Sequence, residues 1–159
     1  MKKTLDDIFA ATNPIFCAVV LHYFLKGHHE AKEKGIDFPL MFLPVPILLS
    51  QDIMSTMVQT NKKTTFLNWI VANPIIRIGI GDRITNTTAI TKSAIRFGLN
   101  NQLITITEDG KFLPNGEISD SKAKQLGIQN YTTIAQRFGS WIGNLDSPEA
   151  VFFALGITF

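Results

Sequence analysis

Cysteine is almost missing from this chain of 159 residues; Cys17 is the only one. An internal disulfide framework is therefore excluded, and a reducing, cytoplasmic setting is expected. Charge is sparse at 18% of residues, and its two signs nearly cancel to a net +2, a total too small to name a partner. No apolar run reaches the ~20 residues that a membrane-spanning helix needs. The start, MKKTLDDIFAATNP, places Asp6 and Asp7 where a signal peptide has its apolar core, so neither export nor membrane insertion is expected.

The usual signatures of catalysis are lacking as well. There is no GxSxG elbow and no oxyanion-hole motif. Gly79 and Gly81 in IGIGDR lack the preceding strand and the third glycine of a dinucleotide fingerprint. His28 and His29 are adjacent and diverge on a helix, His22 stands apart, and no cysteine completes a tetrahedral set. Cys17, beside Phe16 in an apolar stripe, reads as a small buried hydrophobe. The expectation is no catalytic residue, no metal and no cofactor, and hence no enzyme.

Hydrophobic residues are present in quantity, at 45% of a chain long enough for one domain with a proper core. The charges are unevenly placed. Residues 61–114 carry seven Lys/Arg against three Asp/Glu, while the flanking thirds are each slightly acidic. A nucleic-acid face, if the chain has one, is expected in that middle third; a solvated surface explains the excess equally well.

Asn13-Pro14 opens a helix, since Asn caps free N–H groups and proline loses nothing at the first position. Phe16, Val19, Val20, Tyr23 and Phe24 then recur at helical spacing, and Gly35 marks a stop after residue 33. FPLMFLPVPILLS (38–50) follows with Pro39, Pro44 and Pro46, and irregular extended backbone along helix 14–33 is predicted there, partly free as a docking surface. QDIMSTMVQT does not declare itself, a short helix being one reading. NKKTTFLNWIVA reads as a helix with Phe66, Trp69 and Ile70 on one side. Asn73-Pro74 opens another, and TNTTAITKSAIRFGLNNQ a third, with Thr88, Lys92, Arg96 and Asn100 outward. Asp109-Gly110 between LITIT and KFLPN predicts a hairpin whose two central residues take positive φ. Helices over 131–143 and after Ser147-Pro148 complete the chain, with Trp69 and Trp141 as core anchors.

Residues 61–115 thus read helix, helix, helix, hairpin, the order of a winged helix-turn-helix. The predicted class is mainly α with a small β-hairpin: one domain of 159 residues, with an N-terminal part (12–60), a winged core (61–115) and C-terminal helices (116–159). Arg83, Lys92, Arg96 and Lys111 are the candidate nucleic-acid contacts, the third helix being the recognition helix. Apolar surface beyond the needs of the core is expected in 38–49 and 151–159, which makes Phe38, Met41, Phe42, Leu43, Phe152, Phe153 and Phe159 candidate partner contacts.

The succession NPIFCAVVLHYFLKG, FPLMFLPVPILL, LNWIVANP, TKSAIRFGLNNQLITI and GSWIGNLDSPEAVFFALGI resembles the middle components of bacterial three-component ABC ATPase systems, over residues 12–157. Asn13, Pro14, Phe16, Pro39, Phe42, Pro46, Trp69, Pro74, Arg83, Thr91, Phe97, Gly98, Trp141, Ser147 and Gly156 carry the match. Ser50-Gln51 replaces an expected basic or histidine residue, and Ile157-Thr158-Phe159 an expected Arg-Pro ending. The resemblance implies a winged-helix adaptor between an SMC/Rad50-like ABC ATPase and a third-component effector, active against phages or other mobile DNA, with DNA contact left open. It carries no catalytic residue to transfer. The alternative is a stand-alone winged-helix transcriptional regulator.

Overall fold

The computed structural model describes residues 13–145 and 147–157. Candidate Phe159 lies outside them. The described residues form eight α-helices, two 3-10 helices and one antiparallel hairpin.

Helix α1 (Pro14–Ala31) is the axis of the molecule. Asn13 caps it as predicted, its Oδ1 accepting from the N–H groups of Ile15 (2.9 Å) and Phe16 (3.4 Å). Cys17, Val20, Leu21, Tyr23, Phe24 and Leu25 are all at most 2% exposed, so the helix is buried on most sides rather than along one stripe. Its principal neighbours are α5 (Ile80–Asn100) and α7 (Gln129–Gly143).

The α1–α7 contact is made by backbone. A Cβ on Gly27 would lie 1.8 Å from the Gln136 carbonyl oxygen, and one on Gly139 would lie 1.9 Å from that of Phe24. Gly143, one turn further along α7, meets the His28 carbonyl oxygen and the Ala31 side chain, both at 2.9 Å. Around this crossing Phe24 and Phe138 pack at 5.4 Å, and Trp69 and Trp141 at 5.5 Å. The two tryptophans are core anchors, 1% and 3% exposed.

The prolines of 38–49 do something other than predicted. Instead of extended backbone, Phe38–Phe42 forms a 3-10 helix and Pro44–Leu48 a one-turn helix, α2. Pro39 and Pro44 occupy first-turn positions, where the N–H they lack would have had no partner. Proline excludes a helix interior but starts one readily, and this segment holds two such starts in succession. The segment packs on α1, α5 and α7. Together with α3 (Gln51–Val58), at 91° to it, the segment reaches a span-like length and composition, but no single helix among the described residues can cross a membrane.

Thr65 caps α4 (Phe66–Ala72), accepting from the Asn68 N–H at 3.1 Å. The predicted separate helix after Asn73-Pro74 is absent. Pro74–Arg77 is a 3-10 turn, Gly79 takes φ 71°, and α5 then runs 21 residues without a break. Over 61–115 the order is therefore helix, 3-10 turn, long helix, hairpin, and not three helices and a hairpin.

In the hairpin β1 (Ile104–Ile106) pairs with β2 (Phe112–Pro114). Its loop is longer than a two-residue Asp-Gly turn. The Gly110 N–H donates to the Thr107 carbonyl (3.0 Å), and only Gly110 takes positive φ, so Glu108-Asp109 sit at the centre of the turn. Ile36 exchanges two 2.9 Å backbone hydrogen bonds with Phe112, adding an isolated antiparallel bridge to β2. Helices α6 (Asp120–Gln125), α7 and α8 (Pro148–Ala154) follow, α6 capped by Ser119 and α8 by Ser147.

Candidate interaction surfaces

Helix α5 divides lengthwise. Thr91, Ala94, Ile95 and Gly98 are buried, while Thr85, Asn86, Ala89, Lys92, Arg96 and Asn100 are exposed. Lys92 and Arg96, one turn apart on the open face, form no ion pair among the described residues.

The other two predicted cations are engaged. Arg83 grips Asp52 of α3 with a two-pronged bond, at 2.9 and 2.8 Å. The Arg83 guanidinium holds the Asp52 carboxyl below the usual carboxylate range, and Asp52 in turn raises Arg83. Lys111 in the hairpin loop pairs with Asp37, whose hydrogen bond raises the ammonium pKa. Both residues join elements: Arg83 ties α5 to α3, and Lys111 ties the hairpin to the chain leaving α1.

The histidines go to separate places. His22 is buried with Nδ1 2.8 Å from the Leu103 carbonyl, and its burial lowers its pKa. His28 is 6% exposed, and His29 is on the surface. Cys17 is fully buried, and burial pushes its thiol up to about 12.

Of the predicted partner contacts, Met41 and Leu43 are completely buried and Phe152 is 6% exposed. These three belong to the hydrophobic core and are corrected as surface residues, because each packs within that cluster. Phe38 is 44% exposed, stacked on Phe112 at 5.5 Å and edge-on to Phe42 at 5.0 Å. Phe153 is 78% exposed.

The largest aliphatic exposure was missed. Leu67, Val71, Ile75 and Ile78 are 50, 79, 60 and 72% exposed. They recur every third or fourth residue from α4 through the 3-10 turn, while Phe66, Trp69, Ile70 and Ile76 face the core. LNWIVANPIIRI is apolar in two registers, and only one of them is covered. A second apolar register was the available signal. The Arg77 side chain lies over Gly156, with Nε 3.0 Å from where a Cβ would stand, and so joins this segment to the end of α8.

Two open clefts, of about 360 and 450 Å³, flank α1. In the first, Gln136 donates to Glu30 at 2.8 Å, and Arg137 to the Met57 carbonyl and Thr60 hydroxyl at 3.2 Å each; the second is lined by the Lys111–Asp37 pair.

Fold and surface define a small, mainly helical chain with one β-hairpin and an uncovered aliphatic ridge. Its sequence matches the model of the ABC-three component (ABC-3C) system Middle Component 3 family over residues 1–159, and the chain belongs to that family. The resemblance to middle components read from its motifs is thereby borne out. No curated protein and no solved structure matches the chain. A middle component has partner components, and the ridge is a surface of the kind that partners cover.

Proposed function

We propose that the chain is a non-enzymatic adaptor that joins an SMC/Rad50-like ABC ATPase to an effector in a bacterial system acting against phages or mobile elements. The observation that carries this reading is the ridge of Leu67, Val71, Ile75 and Ile78, each at least half exposed. Single exposed aliphatics are ordinary, but four within twelve residues concentrate apolar surface in one segment, as interaction sites do. Co-expression with the ATPase encoded beside it tests the adaptor: the two are expected to co-purify, and failure to do so under gentle salt overturns it.

A second reading, a free-standing winged-helix DNA binder, is supported by the bridge between Ile36 and Phe112. On this reading the order runs α1, bridge, α2–α4, α5, β1–β2, and the winged unit is counted from Pro14 rather than from residue 61. Lys92 and Arg96 then lie on the open face of the groove-reading helix. Arg96→Glu is expected to weaken duplex binding and to reduce the slope of log affinity against log salt by about 1 or more. Arg83→Ala is expected to leave affinity unchanged and to lower stability by less than ~1 kcal/mol, since Arg83 serves an exposed pair. Salt-titrated fluorescence anisotropy reads both variants. No loss in Arg96→Glu counts against a DNA role for this face.

A further inference from the structure

The segment carrying the ridge is also one-sided in charge. From Ile53 to Gly81 there is no carboxylate, whereas Lys62, Lys63 and Arg77 are present. All three are exposed, and none has an ion pair among the described residues. Elsewhere Lys26, Arg83 and Lys111 each meet a carboxylate of this same chain. Lys62 and Lys63 stand in the turn leading into α4, at the start of the ridge. Arg77 stands between its last two members.

We propose that this ridge receives an amphipathic helix of a partner protein, one with an aliphatic seam bordered by carboxylates. The ridge residues fall within twelve positions, on α4, in the 3-10 turn and at its end, and the apolar seam of a helix covers such a stretch without bringing unpaired backbone groups to it. Carboxylates at its margins meet Lys62 and Lys63 at one end and Arg77 at the other. The pairing steers approach and selects the partner, while the aliphatic seam supplies the contact.

Two other occupants fit less well. A second copy in a two-fold contact sets this segment against itself, three cations against three with no carboxylate between them. A bilayer interface is met by a continuous amphipathic helix lying in its plane. Here the ridge crosses a break at Asn73 into a 3-10 turn, and Trp69 is turned inward with its indole N–H donating to the Thr56 hydroxyl at 2.9 Å.

The inference rests on the adaptor reading only in taking the occupant to be a protein. Its test uses the full chain and two labelled helical peptides of about 18 residues, five turns. Both share a leucine seam; one is flanked by glutamate, the other by lysine. The glutamate peptide is expected to bind at least about tenfold more tightly. Val71→Asp is expected to abolish binding of both. The double variant Lys62→Glu, Lys63→Glu, which spares the contact of Arg77 with Gly156, is expected to cancel the preference. These side chains are exposed, so circular dichroism and thermal midpoint should match the wild type, which separates lost docking from lost folding. Equal affinity for the two peptides overturns the proposal. So does binding indifferent to Val71→Asp, capture by phosphatidylserine–phosphatidylcholine vesicles in place of the peptide, or a concentration-dependent dimer that Val71→Asp dissolves. Co-purification with the neighbouring ATPase that is insensitive to Val71→Asp sinks the ridge and keeps the adaptor. A glutamate preference without any co-purification keeps the ridge and sinks the adaptor.

Discussion

Replacing Gly139 by alanine is expected to destabilise the protein by about 3 kcal/mol, although alanine is the better helix former. On propensity alone the exchange in mid-helix would gain roughly 1 kcal/mol. The added methyl, however, falls 1.9 Å from the Phe24 carbonyl oxygen and 2.9 Å from the His28 nitrogen. The obstacles are backbone atoms of α1, so no rotamer change relieves them. Helices α1 and α7 must separate or α1 must distort, and either loosens the packing of Phe24 on Phe138. Overpacking of this kind typically costs 1–3 kcal/mol and more against rigid backbone, which outweighs the propensity gain. Gly27→Ala should behave alike, its methyl meeting the Gln136 carbonyl at 1.8 Å. Gly81→Ala is the control: it lies in α5 with nothing within 4 Å of its Cβ, and a gain of up to about 1 kcal/mol is expected. Urea unfolding of the three variants decides the matter. A Gly139→Ala protein as stable as the parent would mean that the two helices do not touch through their backbones.

Those glycines mark the boundary between what was legible in the sequence and what was not. Asn13, Ser147 and Asp109-Gly110 act on backbone within a few residues, so α1, α8 and the hairpin were readable from them. Gly27 and Gly139 act on each other's helices across a long stretch of chain, and nothing local distinguishes them from glycines that break a helix. The bridge between Ile36 and Phe112 is non-local in the same way, and nothing near the hairpin in sequence announces it. The ridge escaped for another reason. Sequence reports that Val71 and Met41 are both apolar, but not that one is 79% exposed and the other fully buried. The basic candidates divide on the same ground, since Arg83 and Lys111 look like Lys92 and Arg96 until Asp52 and Asp37 are placed beside them.

Stability should also fall steeply in mild acid, chiefly through His28. This imidazole is 6% exposed on α1, and its pKa is lowered to about 4, first by burial, then by the charges of Lys32 and His29. Asp37 and a hydrogen bond to the Lys34 backbone oppose the shift without cancelling it. The sign follows from proton uptake. Above the ordinary value of 6.5 both folded and unfolded chains hold a neutral ring, and the residue contributes no pH dependence. Between 6.5 and about 4 the unfolded ring is protonated and the folded one is not, so the unfolded state gains with every step down. Below about 4 both are protonated, and the loss is complete at about 3 kcal/mol, from roughly 1.4 kcal/mol per pKa unit. His22 adds in the same direction, its buried ring also lowered, with the bond to Leu103 holding the shift back. Asp52 acts in a lower window: its depressed carboxyl stabilises the fold above 3.8 and loses that contribution as pH falls below it. The expected result is a urea midpoint that drops continuously from about pH 6.5 to about pH 4, with much of the drop removed in His28→Asn. The ring signal of His28, followed by NMR in the folded protein, should titrate near pH 4. A midpoint near 6.5 would place His28 in water and remove the physical basis of the acid loss.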